Sequence, residues 1–311
     1  MRQKQKIRGI DPELLGLAYG FMGVLGFSLT LPATRAAVTD LNPTFIGLGR
    51  AIVAAFLAAI ALRVTRQPLP NRRHWKSLAI VAAGVVVGFP LLSAWAMQQL
   101  PAAHGGVVLG LMPLATALAG AWRLGERPSV GFWIASIAGS ITVMLFSVIA
   151  GAGHLQPADW VLLLAGLAAA VGYAEGGRLA QDLGSWQVIC WALVLTAPIL
   201  VIPTAIAVYR YEVTASPSAW IGFAYVSIIS QFLAFFPWYR GLALGGVARV
   251  GQVQLLQPFL TIFASALLLS ETITATTLGA ATVVCMTVVL GKKATIQKKS
   301  KVKSQNYTNY Q

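Results

Sequence analysis

The chain has 311 residues, of which 57% are apolar and only 10% charged, and it carries a net charge of +14. Apolar side chains in that excess cannot be arranged around one soluble core, which excludes an ordinary water-soluble enzyme or binding domain and places the chain in a bilayer. The positive charge is spread through the connections between apolar runs instead of gathering on one face, so no nucleic-acid partner is expected.

A basic tail, residues 1–13, precedes ten apolar runs at 14–37, 43–65, 76–98, 102–124, 130–150, 159–181, 187–209, 218–239, 247–269 and 274–291. A helix of about 20 residues spans the roughly 30 Å of hydrocarbon, so each run reads as a transmembrane helix. The first run is too long for the apolar part of a signal peptide and is expected to stay. A second basic tail, 292–311, closes the chain. If the N-terminus lies inside, every Lys and Arg except Arg35, Arg50 and Arg210 falls in a cytoplasmic segment, which predicts both termini inside and an even number of crossings.

Several residues stand out along these runs. Arg50 lies about seven residues into the second, where an unpaired cation costs roughly 2.5–3.5 kcal/mol on insertion scales. It needs a partner, backbone carbonyls, or a route to the interface. Glu175, in the sixth run with Tyr173 beside it, is the one carboxylate well inside a helix. It pairs locally with Arg178 at i, i+3 spacing, or serves in coupling or substrate binding while Arg50 anchors an anion. Gly16/Gly20, Gly84/Gly88 and Gly106/Gly110 have the spacing that lets helices cross closely, within the chain by default or between copies. Cys190 and Cys285 read as small core residues.

In the eighth run Ser227, Gln231, Ala234 and Trp238 share one helical face, and in the ninth Gln254, Gln257 and Thr261 do the same. Facing lipid, such stripes would be costly, so they line a polar cavity or join helices together. Trp238 and Tyr239 read either as interfacial belt residues or as part of an aromatic clamp. The equivalent face of the fourth run carries Leu109, Met112 and Thr116. A cavity with Met112, Trp95, Trp238 and Tyr239 on one side and amides on the other suits an amphipathic molecule.

The fourth and ninth runs also repeat one another. Residues 109–126, LGLMPLATALAGAWRLGE, return 145 positions later as QLLQPFLTIFASALLLSE, with seven identities that include Pro113/Pro258, Thr116/Thr261 and Glu126/Glu271. Chance predicts roughly two at this composition. Five crossings separate the copies, so they point in opposite directions, the mark of an inverted-repeat transporter. Each proline sits about 16–18 Å into its helix. There it removes a hydrogen bond to the carbonyl four residues earlier and kinks the chain, as part of a cavity or merely as a tolerated proline. Glu126 and Glu271 are expected to cap the junctions of helices 4 and 5 and of helices 9 and 10, with gating or ion coupling as the alternative.

The segments AWAMQQLPAAHGGVVLGLMPLATALAGAWRLGERPS (94–129) and PWYRGLALGGVARVGQVQLLQPFLTIFASALLLSETIT (237–274) resemble the ends of paired EamA domains of the drug/metabolite transporter superfamily. The resemblance implies two five-helix halves, 14–150 and 159–291. It also implies a cavity between helices 1, 3, 4, 6, 8 and 9, and carriage of small polar or amphipathic metabolites, amino acids among them, commonly outward.

Phosphate-binding loops, HExxH zinc sites and GxSxG elbows are all missing, and the three histidines are scattered. Neither ATP, a metal nor another cofactor is therefore expected. The reading is an all-α polytopic carrier of the inner membrane that exports a small metabolite or amino acid by alternating access. An uptake permease is the nearest rival, and a lipid-carrier flippase or membrane scaffold subunit comes from a different class. A membrane enzyme ranks third. Monomer and homodimer stay open.

Overall fold

The computed structural model describes residues 11–124, 130–150, 155–211, 213–287 and 289–290. Most of both basic tails, and Glu126, lie outside the described residues. Among the described residues every regular element is helical. Eight of the helices among the described residues are long and apolar enough to cross a membrane. They are α1 (Pro12–Val38), α2 (Pro43–Val64), α3 (Arg72–Met97), α4 (Ala102–Trp122), α6 (Pro157–Leu183), α7 (Ser185–Arg210), α8 (Pro217–Gly245) and α9 (Gly251–Leu269). Two more helices, α5 (Val130–Ala150) and α10 (Ala275–Thr287), contain shorter apolar stretches.

Helix ends follow local chemistry. Asp11 caps α1 and Asn42 caps α2, each accepting a backbone N–H two residues on, with proline next in line at the first helical position. Helices α6 and α8 stop at Gly184 and Gly246, whose φ values of 94° and 84° a side chain would strain. The following helix then starts at once.

Irregular turns interrupt α3, α4, α8 and α9, and each matched pair ends at the 145-residue offset. Helix α3 widens into a π-helical stretch at Ala82–Gly88, and α8 does so at Val226–Leu233. Helix α4 tightens into a 3₁₀ turn at Leu109–Leu111 just before Pro113, and α9 does so at Gly251–Leu256 before Pro258. The kinks expected from the paired prolines therefore take the form of tightened turns, the common repair of a lost i→i−4 bond.

Small residues let helices of the two halves touch. A β-carbon on Gly16 of α1 would lie 2.7 Å from the backbone of Gly245 in α8, and one on Gly241 would lie 2.7 Å from that of Gly20. A β-carbon on Gly84 of α3 would strike the Ala168 carbonyl of α6 and lie 3.0 Å from the Gly172 backbone, and one on Gly106 of α4 would lie 3.0 Å from Thr261 of α9. All three GxxxG pairs are thus used within the chain. Leu14, Phe21, Phe56, Ile199, Ile202 and Leu267 remain on the outside, where lipid accepts them.

Candidate functional site

Two networks of polar groups lie at the crossings between halves. The first begins with Arg50 of α2, which is 2% exposed, so its side chain neither snorkels nor reaches the interface. Its Nε donates to Gln231 Oε1 of α8 at 3.0 Å, and Gln231 Nε2 donates to the Val85 carbonyl of α3 at 2.9 Å. Backbone geometry explains why that carbonyl is free. In the π-helical stretch the Phe89 N–H bonds to Gly84 O, and the next residue, Pro90, has no N–H for Val85. Gln231 therefore satisfies a broken helix with one end of its amide and a buried cation with the other.

Tyr173 of α6 is buried and stands in an aromatic cluster. Its ring centroid is 5.3 Å from that of Trp238 in edge-on contact and 6.0 Å from that of Phe27 in α1. Phe235 and Tyr239 extend the cluster along α8. Trp238 and Tyr239 are buried completely, so they are core aromatics and not an interfacial belt. Trp95 is placed elsewhere: it is 52% exposed and directs its indole N–H to Thr44 Oγ1 at 3.4 Å.

The second network joins the two copies of the repeated motif. Thr116 Oγ1 of α4 donates to Gln254 Oε1 of α9 at 3.4 Å, and Thr261 Oγ1 donates to the Ser28 carbonyl at 2.8 Å. Ser28 lies where α1 breaks, four residues before Pro32, which has no N–H to offer it. Met112 and Pro113 of α4 and Pro258 of α9 are buried in the same crossing, with Pro258 against Gly110, while Gln257 is half-buried. The face Ser227, Gln231, Ala234, Trp238 is buried throughout, as its spacing predicts.

Other expected residues take local roles. Glu175 is buried and binds Arg178 at 2.6 Å, the i, i+3 pair, and Arg178 also donates to Ser77 Oγ at 2.7 Å. Arg50 and Glu175 are thus held by separate partners. Glu271 is a cap, but of α4 and not of the junction between α9 and α10: its two carboxylate oxygens accept the Ala102 and Ala103 N–H groups, each at 2.8 Å. Cys190 and Cys285 are free thiols.

Some functional candidates escape sequence reasoning. His104 of α4 bonds Asp159 of α6 at 2.7 Å, both buried, and Asp159 also accepts the Gln156 N–H in a capping box. The capping pattern is legible from spacing, but the histidine partner is not. Phe27 and the Val85 carbonyl carry no sequence signal beyond Pro90.

Comparison with known proteins fits this geometry. Residues 14–148 and 156–291 each match the EamA-like transporter family. The chain is 46% identical over 264 residues to the uncharacterized transporter YdeK of Bacillus subtilis, covering 82% of this chain and 89% of that one. It is 24% identical over 229 residues to a probable terminal-alkyne amino-acid exporter of Streptantibioticus cattleyicolor, covering 72% and 75%. A solved crystal structure superposes with a TM-score of 0.62 at 20% identity over 90% of this chain and 98% of that one, a likeness of fold. With two family repeats, membrane-length helices and a closely related transporter, the chain belongs to the EamA-like transporter family and is a multi-pass membrane transporter.

Proposed function

We propose that the protein is a secondary transporter that moves a small metabolite or amino acid outward across the inner membrane by alternating access. In this reading ten helices cross the bilayer, residues 14–150 and 159–291 form inverted halves, and both termini are cytoplasmic. The observation that carries it is the duplicated set of helix interruptions. The π-helical stretches of α3 and α8 end 145 residues apart, as do the 3₁₀ turns of α4 and α9, and they converge on crossings between halves. Discontinuous helices at a repeat interface are where carriers of this kind bind cargo and flex.

The interior chemistry supports a water-soluble cargo. Arg50, Gln231, Tyr173 and Trp238 are buried, and so shielded from lipid, whereas a lipid flippase needs a polar groove open to the bilayer. The outward direction follows the amino-acid exporter relative. The driving force in this reading is a gradient of substrate, proton or counter-substrate.

Counterflow in proteoliposomes tests the reading. Vesicles preloaded with a mixed pool of amino acids and metabolites should accumulate a labelled member of one class. Passage of a fluorescent lipid between leaflets without any solute exchange would instead establish a flippase.

A further inference from the structure

We infer that Arg50 is the anchor for a substrate carboxylate, with the Trp238 indole N–H as a second donor and the surrounding aromatic rings as the wall for an apolar substrate body. This rests on the carrier reading and names the chemistry of its cargo.

The argument is an account of donors and acceptors. A guanidinium has five N–H donors and no acceptor. Arg50 uses Nε on Gln231, yet its Nη1 is buried without a hydrogen-bond partner, and so is Nε1 of Trp238. Gln231 Oε1 is already used by Arg50, and Glu175 by Arg178. Among the described residues no carboxylate forms an ion pair with Arg50. Both orphan donors meet one buried face of α8: Gln231, which holds Arg50, and Trp238 lie on it about two turns apart, and Tyr173 packs edge-on against Trp238. What remains in this region is a fixed positive charge with unused N–H groups beside Phe27, Tyr173 and Trp238.

Such a site rewards one kind of ligand. An anionic oxygen supplies what Nη1 and the indole lack, and charge-assisted bonds of this type are the strong ones in a dry interior. A cation would meet repulsion from Arg50, and a neutral amide would leave the charge uncompensated. The Gln231 bond holds Nε and fixes the plane of the guanidinium, which preorganises the remaining nitrogens. The aromatic cluster offers flat apolar surface to the rest of the molecule. Both α-amino acids and simple aliphatic monocarboxylates carry the required group.

The experiment is counterflow with three preloaded pools: aliphatic and aromatic amino acids, the carboxamides of those amino acids, and straight-chain monocarboxylates. Exchange of the amino acids, of the monocarboxylates, or of both, with at least about tenfold less for the carboxamides, is the expected result, and the pool that exchanges identifies the source of the carboxylate. Exchange of the carboxamides as fast as the acids overturns the anchor while leaving the carrier standing. Exchange of no pool, with lipid crossing, removes both.

Two variants separate binding from folding. Arg50→Lys keeps the charge with fewer, unforked donors and should raise KM with little change in the maximal rate. Gln231→Glu places a carboxylate of the protein's own against Arg50. It should yield a folded, monodisperse protein in detergent that exchanges carboxylates at least about tenfold more slowly, because the internal anion occupies the anchor. Gln231→Met, which loses the bond to the Val85 carbonyl without adding an anion, is the reference: if Arg50 were only structural, Gln231→Glu would exchange carboxylates no more slowly than Gln231→Met.

Discussion

Gly16 in α1 and Gly245 in α8 approach so closely that a β-carbon on Gly16 would lie 2.7 Å from the Gly245 backbone nitrogen. Backbone meets backbone there, with no flexible side chain to yield, so a larger residue drives the helices apart. Gly16→Val should therefore cost about 1–3 kcal/mol and lower the midpoint of thermal unfolding in detergent. Gly279→Ala is the control, because nothing lies within 4 Å of its added carbon. Equal midpoints for the two variants would show that the α1–α8 crossing is looser than described.

Glu271 ties the end of α9 to the start of α4 by accepting two backbone N–H groups. Removing such a cap costs about 1–2 kcal/mol. Glu271→Ala should lose that stability and Glu271→Gln, with one acceptor oxygen, about half of it. Both should still transport at a temperature where they stay folded. If Glu271→Gln keeps wild-type stability but loses transport, the residue is a coupling group and not a cap.

Asp40, in the exposed connection between α1 and α2, accepts hydrogen bonds from the Ser216 side chain and backbone at the start of α8. The Ser216 hydroxyl, and then its N–H, hold the Asp40 carboxyl below the usual carboxylate range. A depressed folded pKa stabilises the protein above the unfolded value, about 3.9, and that contribution fades as pH falls through the folded value. Asp40→Asn should accordingly be less stable than the parent at pH 7. The gap should close on acidification below about pH 4. A gap that does not change with pH would mean that the ionised carboxylate is not what Ser216 recognises.

Gln254 bonds Thr116 through Oε1 while its buried Nε2 has no partner. A leucine there removes an orphan donor along with one long hydrogen bond, so Gln254→Leu should fold with near-parental yield. Transport should fall at least about tenfold if that amide faces cargo in any state of the cycle. Transport at the parental rate would restrict Gln254 to joining the motif copies.

The features that were legible in the sequence are those with a period or an offset. Apolar runs located the helices to within a few residues at most ends, and the 145-residue echo of Pro113 in Pro258 located both tightened turns. The Glu175–Arg178 pair was legible because three residues on one helix are neighbours. Contacts across the fold were not. Arg50 is partnered by Gln231, 181 residues away, through a glutamine that also serves the Val85 carbonyl. Glu271 caps a helix 169 residues earlier. Trp238 and Tyr239 lay close to the end of the apolar run at 218–239 and so resembled belt residues. Helix α8 in fact continues to Gly245, which carries both rings deeper into the fold.

Accessibility of position 257 tests the central claim, that two halves expose one interior site alternately to each side. Gln257 is half-buried at the α9 turn, so a Gln257→Cys protein with Cys190 and Cys285 replaced by serine carries a single reporter thiol. Membrane-impermeant thiol reagents should label it in right-side-out and in inside-out vesicles, with substrate changing both rates. Labelling from one side only, at a rate that no solute alters, would contradict alternating access.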